Sequence, residues 1–338
     1  MMMKRSFFYH SILFFTLLWC TNGVIQALPP THHRPKVGLV LGGGGAKGAC
    51  FPGILKAIEQ SGVPIDYIAG TSIGSIVGGL YACGYRSGDI EHLFRSQEWK
   101  SLLADRDLNF KRKFLKKRDG KFYFFGYPVG KRTKGKVTVE GFGALRGDRV
   151  VHLLDSLTGR PDSIDFASLP IPFSCVAVDI NTLSEVVLTH GRLSAAMRAS
   201  MAIPGAFKPV VMGDSLLIDG GALNNLPVDV VRRMGADIVI AIDLTQNKHA
   251  TPRRTVHPRK TLGGRLVQWL RARPDIAKYN HNRANCDIYI NPNLRGYEAT
   301  NFVSDKIDGL IRRGNEAGKA CLPTLKQLER KLRSAPRR

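Results

Sequence analysis

Acidic residues are scarce. The 338-residue chain has 27 Asp and Glu against 50 Lys and Arg, for a formal net charge of +23. So basic a chain suits anionic partners, membrane surfaces or nucleic acid. Cysteine is also sparse. The six cysteines, Cys20, Cys50, Cys83, Cys175, Cys286 and Cys321, are scattered and lack metal-ligand spacing. That argues against a disulfide-dense scaffold and against a cysteine metal site. Cys50, Cys83 and Cys175 sit in apolar stretches and read as small core residues. No oxygen-rich loop resembles a calcium site, and no internal repeat or low-complexity region stands out.

The apolar stretch from Phe7 to Trp19 falls short of the roughly 20 residues that span a bilayer. Preceded by Lys4-Arg5 and followed by small and polar residues, it has the plan of a secretory signal peptide, residues 1–27. Ala27 is one candidate for its last residue and Gly23 another. Trp19 before Cys20 speaks against a lipoprotein signal, which wants a small residue there. Export is therefore expected, to the periplasm or the medium of a bacterium, with peripheral membrane association as an option.

Residues 28–36 look like a linker. Residues 37–243 alternate strand and helix patterns, which predicts an α/β domain with a mostly parallel sheet. Within it, residues 99–145 are basic and aromatic. Lys111-Arg-Lys-Phe-Leu-Lys-Lys-Arg118 and Lys131-Arg-Thr-Lys-Gly-Lys136 flank Lys121-Phe-Tyr-Phe-Phe-Gly-Tyr127. Such a segment suits an anionic membrane interface or single-stranded nucleic acid. It equally suits a solvated hairpin with inward-packed aromatics. Residues 244–338 read as an extension: a basic loop, a helix at 262–271, a strand at 287–290, and helices at about 303–319 and 322–333.

Two segments carry chemistry. Gly70-Thr-Ser72-Ile-Gly74 is the G-x-S-x-G pattern of a sharp strand-to-helix turn that exposes a serine oxygen. Gly42-Gly-Gly-Gly45-Ala46-Lys47-Gly48 follows the apolar strand Val37–Leu41 and opens a helix. Converging N–H groups there suit an anion. The spacing Gly43-x-Gly45-x-x-Gly48 fits a dinucleotide fingerprint, but Asp66 precedes the second strand and does not end it. A phosphate loop of the Walker kind fails because Gly48, not Ser or Thr, follows Lys47. An oxyanion hole remains. Lys47 either supports that loop or is a solvated cation.

A serine needs a base. The usual order places a histidine last, and His249, His257 and His281 all fall in stretches that read as loops. Asp219 instead ends the apolar run Ser215–Ile218 and is followed by Gly220 and Gly221. It reads either as a turn residue or as the base. Arg198 lies in a helical stretch and suits an anchoring role. Ile203-Pro204-Gly205 reads as a rigid turn. Asn224 and Asn225 suit caps for the helix near Pro227.

Four segments, in order, resemble the patatin-like phospholipase family. They are Gly43–Gly48, Gly70–Gly74, Arg198-Ala-Ser-Met-Ala-Ile-Pro-Gly-Ala-Phe207 and Asp219-Gly-Gly-Ala-Leu-Asn-Asn-Leu-Pro227. Met234–Asp243 is similar to the family's closing strand, and the likeness is greater to the short bacterial branch. The resemblance implies an α/β/α sandwich and hydrolysis of phospholipid or lysophospholipid acyl esters without metal or cofactor. It also implies Ser72 as nucleophile, Asp219 as base, and the amides of Gly43, Gly44 and Gly45 as oxyanion hole. Lys47, Gly48, Gly70, Gly74, Gly220 and Gly221 then support those motifs. Two alternatives stay open: a Ser–Asp–His esterase, and a non-catalytic basic protein binding lipid or, less in keeping with export, nucleic acid.

Overall fold

The computed structural model describes residues 34–106, 143–159, 162–246 and 262–334, and the backbone of four short strands between 116 and 137. Residues 1–27, most of the basic–aromatic insertion, His249 and His257 lie outside the described residues. The described residues between 35 and 333 form one compact unit.

Its frame is a sheet of eight strands among the described residues. They are β1 (Val37–Leu41), β2 (Tyr67–Thr71), β3 (Phe173–Asp179), β4 (Ser184–Leu188), β5 (Val210–Met212), β6 (Ser215–Asp219), β7 (Ile238–Ile242) and β8 (Ile288–Ile290). The centre is parallel: β8, β7, β1, β2 and β3 run side by side in one direction. β4, β6 and β5 add antiparallel pairings beyond β3. The helices are α1 (Phe51–Ser61), α2 (Ile73–Ala82), α3 (Ser87–Ser96), α4 (Trp99–Leu103), α5 (Asp148–Thr158), α6 (Leu193–Ser200), α7 (Val228–Arg233), α8 (Leu262–Arg271), α9 (Asp275–Ala284) and α10 (Ser304–Ser334).

The strands are apolar on both faces because helices cover both. Leu39, Leu41, Ile68, Ile240 and Ile242 pack into one core with Ile54 of α1, Val77 of α2, Met197 of α6 and Leu310 of α10. Val40, Ala69, Val176, Val239 and Ala241 point the other way, onto Val228 and Val231 of α7 and Tyr279 of α9. This is the expected three-layer α/β/α sandwich with a mostly parallel sheet.

Three elements differ from the sequence reading. The expected pair of C-terminal helices is one helix, α10, with Pro323 inside it. Leu325, Leu328 and Leu332 are buried in the same core as Leu310 and Ile311, so packing outweighs the lost backbone bond. Gly314 lets this helix lie against α1, since a Cβ there would come within 2.0 Å of the Cys50 carbonyl oxygen. Tyr279–Arg283, read as a loop, belongs to α9. And β5, unrecognised in the sequence, forms a hairpin with β6.

Candidate active site

Ser72 joins β2 to α2 with φ 56° and ψ −126°, outside the helical and strand regions. Its neighbours explain why the pattern needs glycine. A Cβ on Gly74 would lie 2.1 Å from the Leu41 carbonyl oxygen, and one on Gly70 would lie 2.4 Å from the Gly74 oxygen. The strained residue is pinned on both sides. Ser200 Oγ accepts from its N–H at 3.0 Å and itself donates to the Val176 carbonyl. Ser75 Oγ donates to the Ser72 carbonyl at 2.6 Å. Surroundings that over-determine the backbone are what such strain requires.

Asp219 reaches Ser72 through sheet register. β2 pairs with the first part of β3, placing Thr71 opposite Val176. β6 pairs antiparallel with the last part, placing Asp219 opposite Ala177. β4 spans both parts and takes the other edge of β3. Thus β2 and β6 share one edge and meet end to end, carboxyl end against carboxyl end. Ser72 Oγ donates to Asp219 Oδ2 at 2.6 Å, and the Gly221 N–H donates to Oδ1 at 2.7 Å.

Both side chains are almost wholly buried, Ser72 at 5% exposure and Asp219 at 6%. Burial pushes the Asp219 carboxyl up from 3.8 to about 6, against the lowering effect of the Ser72 hydroxyl and the Gly221 amide. A carboxylate shifted toward neutrality is a stronger proton acceptor than an ordinary one, while remaining ionised at neutral pH.

The glycine loop divides its donors. The Gly42 N–H donates to the Ile242 carbonyl at 2.9 Å, which continues the sheet pattern. The Gly43 N–H donates to the Asn225 carbonyl at 3.1 Å, so of the three expected oxyanion amides this one is already engaged. The N–H groups of Gly44 and Gly45 have no acceptor among the described residues. The Asn225 side chain donates to the Gly43 carbonyl at 3.2 Å and to Thr245 Oγ1 at 3.3 Å. A Cβ on Gly43 would sit 2.4 Å from Asn225 Oδ1 and 3.1 Å from Ser72 Cβ.

The two asparagines therefore do not cap α7, which has no side-chain cap. Asn224 donates to Glu185 and Asp229, and its carbonyl accepts from Thr71 Oγ1 at 2.8 Å. Their place after Asp219-Gly-Gly is the one sequence signal that ties them to the site.

Ser72, Asp219, Gly43, Gly44, Gly45 and Gly221 line a cavity of about 470 Å³ together with Ile203, Pro204, Ala222, Asn225, Thr245, Leu270, Arg273, Asp275 and Ala299. Gly48 packs under Ile73 and Gly220 under the Val176 carbonyl, so both act from behind the site. Lys47 lies in the turn Gly45–Cys50 and does not line the cavity. Nor does any histidine among the described residues; His281 is exposed on α9. Arg198 is buried and donates to the carbonyls of Arg146 and Lys208, the anchoring role its helical setting suggested. The geometry offers a serine, a carboxylate touching it, and two amides without an acceptor among the described residues, lining one open cleft.

The family described as patatin-like phospholipase matches residues 39–232. The chain is 31% identical over 236 residues to an uncharacterized NTE family protein of Mycobacterium tuberculosis, covering 70% of this chain and 55% of that one. It is 34% identical over 223 residues to lysophospholipase NTE1 of Mycosarcoma maydis, covering 64% of this chain and 10% of that one. It thus spans little more than half the length of the first relative and a tenth of the second. Among solved structures, VipD from Legionella pneumophila superposes with a TM-score of 0.47 at 15% identity, covering 87% of this chain and 67% of that one. The matched segment is more than half of the chain and carries the glycine loop, the serine elbow and Asp219: the chain belongs to the patatin-like phospholipase family.

Proposed function

We propose that the protein is a serine acyl hydrolase that cleaves acyl esters of phospholipids or lysophospholipids through a Ser72–Asp219 dyad. The observation that carries this reading is the 2.6 Å bond from Ser72 Oγ to a buried carboxylate. Family membership and a relative named as a lysophospholipase support it. In the first half-reaction Asp219 takes the hydroxyl proton as Oγ attacks the ester carbonyl carbon. Negative charge builds on the carbonyl oxygen, facing the amides of Gly44 and Gly45. The C–O bond to the alcohol breaks, and Asp219 returns the proton to the departing oxygen. In the second, Asp219 takes a proton from water, the hydroxide attacks the acyl-serine, and Ser72 regains its proton as the fatty acid leaves.

The signal-like N-terminus and the basic–aromatic segment support export and action at an anionic membrane. Cosedimentation with anionic vesicles, weakened by salt and by charge reversal at Lys111, Arg112, Lys116 and Lys117, would bear out the membrane role.

A fluorophosphonate probe tests the chemistry. It is expected to label Ser72, and Ser72→Ala is expected to abolish labelling and hydrolysis. Asp219→Asn should lower kcat by several orders of magnitude in a folded protein. Labelling at another serine, or full activity in Asp219→Asn, overturns the reading.

A further inference from the structure

The family match ends at residue 232, yet the cavity does not. The end of α8, the turn after it and the start of α9 contribute Leu270, Arg273 and Asp275 to its lining. Arg273 is the one cation among the described residues that line it. Asp275 orients the guanidinium. Arg273 Nε donates to Asp275 Oδ1 at 3.1 Å and Nη2 to Oδ2 at 3.3 Å, while Nη1 has no partner among the described residues. The arginine side chain keeps 42% of its surface accessible.

Two features set this pair apart from a simple staple between helices. A half-exposed ion pair contributes little to stability. Against that, Arg273 has φ 55°, a left-handed backbone that costs a non-glycine residue more than such a pair returns. The pair does not recover the cost of the conformation that forms it. What the conformation does achieve is to set a planar, oriented fork on the wall of a cleft whose other lining is largely apolar, through Ile203, Pro204, Ala222 and Leu270. Because Asp275 neutralises much of its charge at a distance, Arg273 acts at short range, through directed hydrogen bonds. Its unpaired edge suits a tetrahedral oxyanion, the geometry at which guanidinium excels.

Resting on the hydrolase reading, we propose that Arg273 is the phosphate-recognising residue of the cleft. It would bind the phosphodiester of a glycerophospholipid whose acyl ester lies at Ser72, and so favour phospholipid over neutral acylglycerol.

The test uses the full chain and two substrates with one acyl chain, a 1-acyl lysophosphatidylcholine and the matching 1-monoacylglycerol, both below their micellar concentrations. A hydrogen-bonded charge contributes about 1.5–3 kcal/mol, so Arg273→Ala should lower kcat/KM for the lysophospholipid about 10- to 100-fold, chiefly through KM. Hydrolysis of the monoacylglycerol should stay within about twofold, and Arg273→Lys should recover part of the loss by supplying a point charge without the fork. Equal losses on both substrates, or none on either, overturn the proposal.

Binding of a non-hydrolysable ether lysophospholipid, compared with the matching alkylglycerol by calorimetry, separates the two readings. If wild type hydrolyses neither ester but binds the ether lysophospholipid in an Arg273-dependent way, phosphate recognition stands and the hydrolase reading falls. Binding of the two ethers with equal affinity overturns the phosphate role.

Discussion

Ser72 and Asp219 are 147 positions apart, and their side-chain oxygens lie 2.6 Å from each other. The contact follows from two strands that run toward each other along one edge of β3. Shifting β6 by one residue would turn Asp219 to the opposite face of the sheet. The pairing of Asp219 with Ala177 is therefore as much a part of the site as the glycines around Ser72. The same placement buries a carboxylate, and that has consequences for both rate and stability.

Activity should depend on the ionisation of Asp219. The base works only deprotonated, and burial raises its pKa to about 6. The kcat/KM for a small soluble ester should then be flat above about pH 7 and fall about tenfold per unit below pH 6. A pH profile from 4.5 to 8 measures this. A profile still flat at pH 5 would mean that burial does not raise the Asp219 carboxyl as described.

Stability should move in the opposite direction. A carboxyl whose folded pKa exceeds its unfolded pKa holds its proton more tightly when folded. Stability is then greatest below the unfolded value of 3.8 and declines as pH rises toward about 6. The full shift corresponds to at most about 3 kcal/mol. Asp219→Asn removes the buried charge while keeping an oxygen for the Gly221 amide. Thermal unfolding should show this variant melting several degrees above wild type at pH 8 and level with it at pH 4. A variant less stable than wild type at pH 8 would contradict the account.

Much of the site is legible in the sequence because glycine spacing acts locally. Gly74 lies against the Leu41 carbonyl within one β–turn–α unit, and the pattern reports that contact directly. What the sequence conceals is long-range. Nothing local says that β6 will abut β2, or that β5 precedes it in a hairpin. Tyr279-Asn-His-Asn-Arg283 has poor helix formers, yet Tyr279 is buried and donates to Asp243, and Asn282 donates to the Leu226 carbonyl at 2.9 Å. Tertiary partners override propensity there. Pro323 misleads for the same reason.

Asn225 is a positioning residue of this kind. Its side chain holds the Gly43 carbonyl, which shares a peptide group with the Gly44 amide and lies one peptide before that of Gly45. Asn225→Ala leaves the backbone bond to Gly43 in place but releases that carbonyl. Displaced oxyanion donors cost up to about 10²- to 10³-fold in kcat, and a loosened loop should show about 10- to 100-fold. KM and the pH midpoint should hold, since neither the cleft walls nor Asp219 change. Unaltered kcat in a folded variant would remove Asn225 from the site.

Ser72 itself should be less than optimal for folding. Its φ of 56° and ψ of −126° are open to glycine, whereas a residue bearing Cβ is strained there by about 1–3 kcal/mol. Ser72→Gly and Ser72→Ala both delete the hydroxyl bonded to Asp219, so their difference isolates the backbone. Glycine gains unfolded-state entropy, which lowers stability by about 0.4–1 kcal/mol. Relief of strain outweighs that, leaving Ser72→Gly about 0.5–2 kcal/mol more stable than Ser72→Ala. Urea unfolding of the two variants at one pH, compared at equal m-values, decides the matter. If Ser72→Ala proves as stable or more so, the turn holds no strain, and the fixed backbone around the serine has another origin.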